Sequence, residues 1–407
     1  MVFQLGSDEV ISMSDSMRKI TPDIDIESTT AGEDLLPRSC ELCPRRCGAN
    51  RRGGQKGACG ADDRLLLARA ALHEWEEPPI SVGAGSGTVF FSNCPLRCVY
   101  CQNYTIADGT HGNAVSPDRL KQIFFELAAQ GAANINLVTP THYLPYVLHS
   151  ISRARSMGFA LPFICNTSGY ETVQTVKYMS GAIDAYLTDF KYWRDGESDA
   201  ARRYSNAPDY FEVASAALRT MVECAGSPRF DTWPKPAHSL MGNKDMDVLD
   251  SAMGKNDGNK DIQPEWSAGK GGQDCMRAVS CNNLDSLYGS SDFEDGEDID
   301  HGQDSENRLV AGVVVRHLIL PGGLEDSKRI MAYLWAEYGN SVLYSVMNQY
   351  TPVRQFPQML ELDRRVADDE YERLLDYMDS LGMTDYFWQE GGAAEESFIP
   401  CFDCTGV

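Results

Sequence analysis

No apolar run in the 407 residues approaches the roughly 18 that a membrane-spanning helix needs. Basic residues are also scarce, 36 Lys and Arg against 59 Asp and Glu, for a net charge of −23. That balance excludes a general nucleic-acid binder and a basic membrane-surface protein, so neither partner is expected. The first residues show no secretory pattern. They are also too acidic for an organelle transit peptide, with Asp8, Glu9, Asp15, Asp23, Asp25 and Glu27. The expected compartment is the cytoplasm, with plastid and mitochondrion left open. The evenly spread cysteines of a secreted disulfide framework are missing too. The 13 Cys fall instead in short-spaced groups, a pattern of metal chemistry in a reducing compartment.

What is present centres on the stretch GTVFFSNCPLRCVYCQN, residues 87–103. A short β-rich run ends in a loop carrying Cys94, Cys98 and Cys101, spaced Cys-x3-Cys-x2-Cys. Three thiolates on one loop can hold three irons of a cubane cluster and leave the fourth iron open. A zinc site is the rival, but structural zinc wants four ligands, and His111 is the nearest fourth. A fully ligated cluster is the remaining alternative.

Upstream, Cys40, Cys43, Cys47 and Cys59 form a second group, with Gly and Pro turns and Arg45, Arg46, Arg51, Arg52 and Lys56 nearby. Four thiolates so spaced can close a tetrahedral zinc site or bind a second Fe–S cluster, and the basic residues would offset their charge. Residues 1–36 read as a disordered tail, 37–75 as this Cys-rich metal-binding preface, and 391–407 as a C-terminal tail. Cys401 and Cys404 there read equally as a ligand or redox pair and as two thiols of a frayed end.

From residue 88 apolar strands and helical periods alternate. Strands are expected at 88–91, 135–138, 162–166, 183–190, 310–320 and 342–347. Helices are expected at 117–130, 143–157, 170–179, 208–224, 325–338 and 368–381, the first with Ser116 as N-cap and Pro117 after it. Six strands with crossover helices imply an α/β fold with a parallel sheet, either a barrel or an open doubly wound sheet. Residues 227–307 interrupt the pattern. They are rich in Gly, Ser, Asn and acid, lack apolar period, and read as a disordered acidic insertion. A metal held through Cys275 and Cys281 is a minor alternative there.

The loop resembles the signature of the radical S-adenosylmethionine (SAM) enzymes, Cys-x3-Cys-x-aromatic-Cys, at Cys94, Cys98, Tyr100 and Cys101. The Cys-rich preface and the phrases NLVTPTH, FICNTSGYE, LTDFKYW, VVVRHLILPGG and MNQYTP resemble one subgroup, relatives of the pyruvate formate-lyase activating enzymes. The resemblance covers residues 37–226 and 308–390. It implies a partial six-stranded (β/α) radical SAM barrel over 76–226 and 308–390, a [4Fe–4S] cluster on Cys94, Cys98 and Cys101, and SAM on the open iron. It implies reductive cleavage of SAM to a 5′-deoxyadenosyl radical that abstracts hydrogen from a substrate. It also implies an electron donor such as ferredoxin or flavodoxin, and a protein substrate such as a backbone glycine. The Gly-Gly-Glu-Pro phrase that holds the SAM amino group in many such enzymes is replaced here by NLVTPTHYLP, without the carboxylate.

Polar residues at apolar strand ends are the other candidates, since sites form there in parallel sheets. Tyr100, Thr139, His142, Asn166 and Ser168 are expected cofactor contacts. Asp189, Lys191 and Arg316 are expected catalytic residues, with His317 beside them. Asp189 and Lys191 lie two apart and point the same way, as an ion pair or as groups facing SAM and substrate. The rivals to this reading are radical chemistry on a different peptide or small molecule, and a non-catalytic metal-stabilised scaffold.

Overall fold

The computed structural model describes residues 35–194, 196–234, 305–389 and 400–407. Most of the expected disordered tail and insertion, with Cys275 and Cys281, lie outside the described residues.

A mixed, mostly parallel sheet organises the chain. The strands are β1 (Leu65–His73), β2 (Ser86–Phe91), β3 (Asn113–Val115), β4 (Ile135–Val138), β5 (Phe163–Thr167), β6 (Ala185–Asp189), β7 (Arg229–Pro234), β8 (Ser305–Leu318), β9 (Leu343–Met347) and β10 (Tyr386–Trp388). The helices are α1 (Tyr104–Ala107), α2 (Pro117–Ala129), α3 (Leu144–Ser156), α4 (Val173–Met179), α5 (Ala200–Ser205), α6 (Tyr210–Ala225), α7 (Leu324–Tyr338) and α8 (Asp368–Ser380). The α/β class expected from the alternation is what forms, and the six expected strands are β2, β4, β5, β6, β8 and β9.

Sheet order is β10-β9-β8-β6-β5-β4-β2-β1-β3, with β7 paired to β8 off this path. From β2 to β10 every neighbour pair is parallel. Each new parallel strand adds to the same edge, so the order never reverses and the switch point of a doubly wound sheet is missing. With the right-handed crossovers such units take, the helices fall on one face of the sheet.

The period of two then separates two sets of side chains. Phe163, Cys165, Tyr186, Val313 and Val315 belong to the large core with the helices. Their neighbours Ile164, Ala185, Leu187 and Val314 form a second, smaller cluster with Ile80 and Leu309. Asn166, Asp189 and Arg316 continue this inner set by one further step of two. Helix α2 packs as its sequence implies. The Ser116 side chain accepts from the Arg119 amide, and Leu120, Ile123, Phe124 and Leu127 are buried.

Four boundaries differ from expectation. Strand β1, assigned to the metal preface, is a sheet strand antiparallel to β2. Residues 229–234 and 305–307, assigned to the insertion, form a ladder in which β7 pairs antiparallel with β8. Leu35 and Leu36, assigned to the tail, are buried in the core. The last residues are docked rather than frayed. The Cys404 amide donates to the Ala68 carbonyl at 3.0 Å and the Ala70 amide to the Thr405 carbonyl at 2.9 Å. Gly406 (φ 74°) is required there, because a Cβ would stand 2.1 Å from the Ala70 carbonyl oxygen. Among the described residues no helix is long and apolar enough to cross a membrane.

Candidate active site

Strand β2 ends at Phe91 and delivers the cysteine loop at the C-terminal end of the parallel strands. The loop is tied down on all sides. The Ser92 amide donates to the Leu66 carbonyl at 3.0 Å and the Asn93 amide to the Ile106 carbonyl at 2.7 Å. Asn93 Nδ2 donates to the Tyr143 hydroxyl at 3.0 Å. Asn93 and Arg97 take left-handed φ values of 72° and 54°, which fold the loop back on itself. The Val99 amide donates to the Tyr204 carbonyl at 2.8 Å.

Cys94, Cys98 and Cys101 line a cavity of about 350 Å³, within the range of small-molecule sites. Burial pushes the Cys94 thiol up to about 11, with Cys98 adding to the rise. It pushes Cys101 up to about 12, helped by Cys98 and Cys94 and opposed by the Lys191 ammonium. Backbone amides of Leu96 and Arg97 donate to Cys94, and that of Asn103 to Cys101. The single Ser205 hydroxyl proton is placed to go either to Cys98 Sγ at 3.0 Å or to the Tyr192 hydroxyl at 2.6 Å. Tyr192 in turn donates to the Tyr100 hydroxyl at 2.9 Å. The Tyr100 ring packs edge-on against Tyr192, Tyr204 and Tyr350.

The same cavity is lined by Tyr100, Thr139, Asn166, Ser168, Asp189, Lys191 and Arg316. Seven of the nine expected non-cysteine site residues are therefore brought together from the ends of four strands and the cysteine loop. His142 is not among them. It is buried beneath the loop, Nε2 against the Ser92 carbonyl at 2.8 Å, and burial pushes it down to about 3. It supports the loop from below, as a neutral imidazole. His317 is likewise a packing residue, held by the Phe190 carbonyl and Ser327 Oγ.

Arg316 organises the polar wall. Its Nε donates to Asp189 Oδ1 at 3.2 Å, Nη1 to Glu76 Oε2 at 3.2 Å, and Nη2 to Asn166 Oδ1 at 2.6 Å. Lys191 Nζ donates to Asp189 Oδ2 at 2.5 Å. Burial alone would raise the Asp189 carboxyl. Lys191 and Arg316 outweigh it and hold the group below the usual range. Asn166, expected to contact a cofactor, spends its amide on Arg316 and Glu76, so it positions the wall.

Glu76 and Glu77 were not anticipated. They follow β1 in the WEEPP turn, and both line the same cavity as the three cysteines. Burial raises both carboxyls, against the Arg316 charge. Glu76 also accepts from Asn136 Nδ2 at 2.8 Å. Two acidic residues beside prolines look like a solvated turn in sequence. The signal that could have found them is the arithmetic of charge: Arg316 and Lys191 in an apolar setting need more carboxylate than Asp189 provides.

Cys40, Cys43 and Cys59 are buried, and Cys47 is exposed beside them. Desolvation pushes Cys43 up to about 12, with Cys59 and Cys40 contributing. Among the described residues no three His, Cys, Asp or Glu groups are arranged to hold a single metal ion.

No family model matches the chain. It is similar to two proteins of Methanocaldococcus jannaschii, both described as uncharacterized. MJ0674 is 30% identical over 184 residues, 43% of this chain and 51% of its own length. MJ0808 is 21% identical over 229 residues, 52% of this chain and 63% of its own length. The chain thus spans between half and two thirds of the curated relatives it matches.

Proposed function

We propose that the chain is a radical SAM enzyme on a partial six-stranded (β/α) barrel, working in a reducing, cytoplasmic compartment. One observation carries the reading: Cys94, Cys98 and Cys101 line the same cavity as the polar ends of β4, β5, β6 and β8. The unreversed order of β2, β4, β5, β6, β8 and β9 supports the barrel part of it.

The donor set fits a cluster with one open corner. Three thiols on one loop receive backbone and Ser205 donors that oppose the rise burial imposes on Cys94 and Cys101, and the positive charge of a bound cluster would ionise them. A cubane would take these three sulfurs at three separate irons and leave its fourth iron for SAM. When bound, such a cluster with SAM supplies the electron that splits the sulfonium and yields a 5′-deoxyadenosyl radical.

The chain's own residues then have distinct tasks. Tyr100, locked by three other tyrosines, presents a fixed ring to the cavity. Thr139 and Ser168 offer hydrogen bonds for a ribose or methionyl end. Asp189, Lys191 and Arg316 form a paired charged wall that can anchor substrate polar groups without moving. The substrate is a partner protein's backbone or another peptide or small molecule, and ferredoxin or flavodoxin is the class of electron donor.

Anaerobic reconstitution with iron and sulfide, reduction and addition of SAM tests this. The expected product is 5′-deoxyadenosine, abolished by Cys98→Ala. No product from fully loaded protein, or product that survives Cys98→Ala, overturns the reading and leaves a metal-stabilised scaffold.

A further inference from the structure

The charges of the cavity do not balance. Apart from the thiols, its lining carries two cations, Lys191 and Arg316, and three carboxylates, Glu76, Glu77 and Asp189. His73 also lines it, but burial pushes this base below its usual range and keeps it neutral. The hydrogen bonds show which carboxylate is left over. Lys191 and Arg316 both donate to Asp189, and Arg316 also donates to Glu76 and Asn166. All three Arg316 nitrogens are thus engaged with other groups. Glu77 forms no ion pair among the described residues.

Glu77 is nonetheless only 8% exposed. Ser345 and its own amide serve the carboxyl, yet Oε2 meets no donor. A carboxylate oxygen taken out of water without a donor is a standing cost to the fold. The turn does not require this side chain. The Ile80 and Ser81 amides donate to the Glu77 carbonyl at 2.7 and 3.1 Å, and the Glu76 amide donates to Ser81 Oγ at 3.1 Å. Backbone groups and a serine therefore hold the chain there. The acid is spare.

A second observation points to what it takes. Trp75 and Trp388 line the same cavity, yet they are 63% and 53% exposed. They stand on its solvent side, and indole faces attract cations. Acid within and indole outside suit an ammonium on an alkyl stem. An anion would meet an excess of carboxylate, with Lys191 and Arg316 already paired. An arriving cation would offset the burial that raises the Glu77 carboxyl.

We propose that the substrate carries an alkylammonium group, received by Glu77 Oε2, with Trp75 and Trp388 beside its stem. The inference rests on reading the cavity as the reaction site, and it names the substrate class. SAM has an ammonium of its own, so the test separates the two sources.

The full chain is titrated with n-butylammonium, n-butyrate and 1-butanol, followed by ligand-observed NMR. This is done as purified and again after reconstitution with iron, sulfide and SAM. The cation is expected to bind about tenfold tighter than either analogue, and to bind alongside SAM. Glu77→Gln should remove that preference, and Trp388→Leu should weaken the cation about threefold. Equal cation binding by wild type and Glu77→Gln overturns the proposal, as does a preference for n-butyrate. Displacement of n-butylammonium by SAM, with weaker SAM binding in Glu77→Gln, also overturns it and gives the carboxylate to SAM. If Glu77→Gln does not fold, the wild-type preference and Trp388→Leu decide: no preference for the cation over 1-butanol, or unchanged affinity in Trp388→Leu, overturns it. The as-purified titration needs no 5′-deoxyadenosine, so this inference and the radical SAM reading fail separately.

Discussion

Arg45 Nε donates to the Pro95 carbonyl at 3.1 Å. Arg45 lies between Cys43 and Cys47, and Pro95 follows Cys94, so one side chain joins the two cysteine groups. The same guanidinium donates to the Ser205 carbonyl at 2.8 Å and the Asn206 carbonyl at 2.5 Å. It therefore clasps the cysteine loop to the end of α5, whose Ser205 touches Cys98. Arg45→Met should cost about 2–4 kcal/mol of stability, since several charge-assisted hydrogen bonds are lost at once. If the proposed cluster sits on the loop, the variant should also speed iron loss from the reconstituted protein to a chelator. Unchanged iron-release kinetics would show that the clasp does not hold the loop.

Ser205 and Cys98 predict a redox effect. A hydroxyl donated to a cluster sulfur stabilises the reduced, more negative state. Ser205→Ala should lower the potential of the proposed loop cluster by tens of mV, on the order of the 59 mV that corresponds to a tenfold change for one electron. An EPR-monitored redox titration reads it. A potential equal to wild type would mean the hydroxyl faces Tyr192 alone.

Removing Arg316 strands buried carboxylates. Asp189 keeps Lys191, but Glu76 loses the one cation that pairs with it among the described residues. Arg316→Met should destabilise the fold by about 3–5 kcal/mol, and adding Glu76→Gln should recover part of it. Chemical denaturation of the two single variants and the double variant gives the coupling. Additive losses would show that the two groups do not sense each other.

His142 predicts a pH dependence. Burial lowers its native value from 6.5 to about 3. A base whose folded value is depressed contributes stability present above its unfolded value and lost as pH falls. The window runs from about 6.5 down toward 3, at roughly 1.4 kcal/mol per pH unit. His142→Gln, which can still donate to the Ser92 carbonyl, should flatten that slope by one proton. The measurement is the denaturation midpoint between pH 7 and pH 4 at intervals of about half a unit. A slope identical to wild type would mean His142 is protonated in the native state.

Much of this was legible from local pattern. The parallel strands betray themselves by short apolar runs, because each is buried on both faces. Asn166, Asp189 and Arg316 stand out because they are polar where such a run ends. The antiparallel partners were harder. Strand β1 sits among metal-ligand spacings, and β7 and the start of β8 flank a polar segment, so composition concealed their pairing. The docked C-terminus depends on hydrogen bonds to Ala68 and Ala70, more than 300 residues away, and nothing nearby in sequence announces them.

The amino-acid order determined which side chains would be buried in strands and helices, and which thiols would share a turn. Spacing does this by itself, since period and loop length are properties of a few consecutive residues. Only the folded chain decided that Glu76 would meet Arg316, that Arg51 would be buried against Cys40 and Cys59, and that His142 would lie under the loop instead of beside the cavity. Those outcomes depend on which distant segments cover the sheet. Each is selected by the cost of burying a charge or a hydrogen-bonding group without a partner, and that cost is assessed across the whole fold.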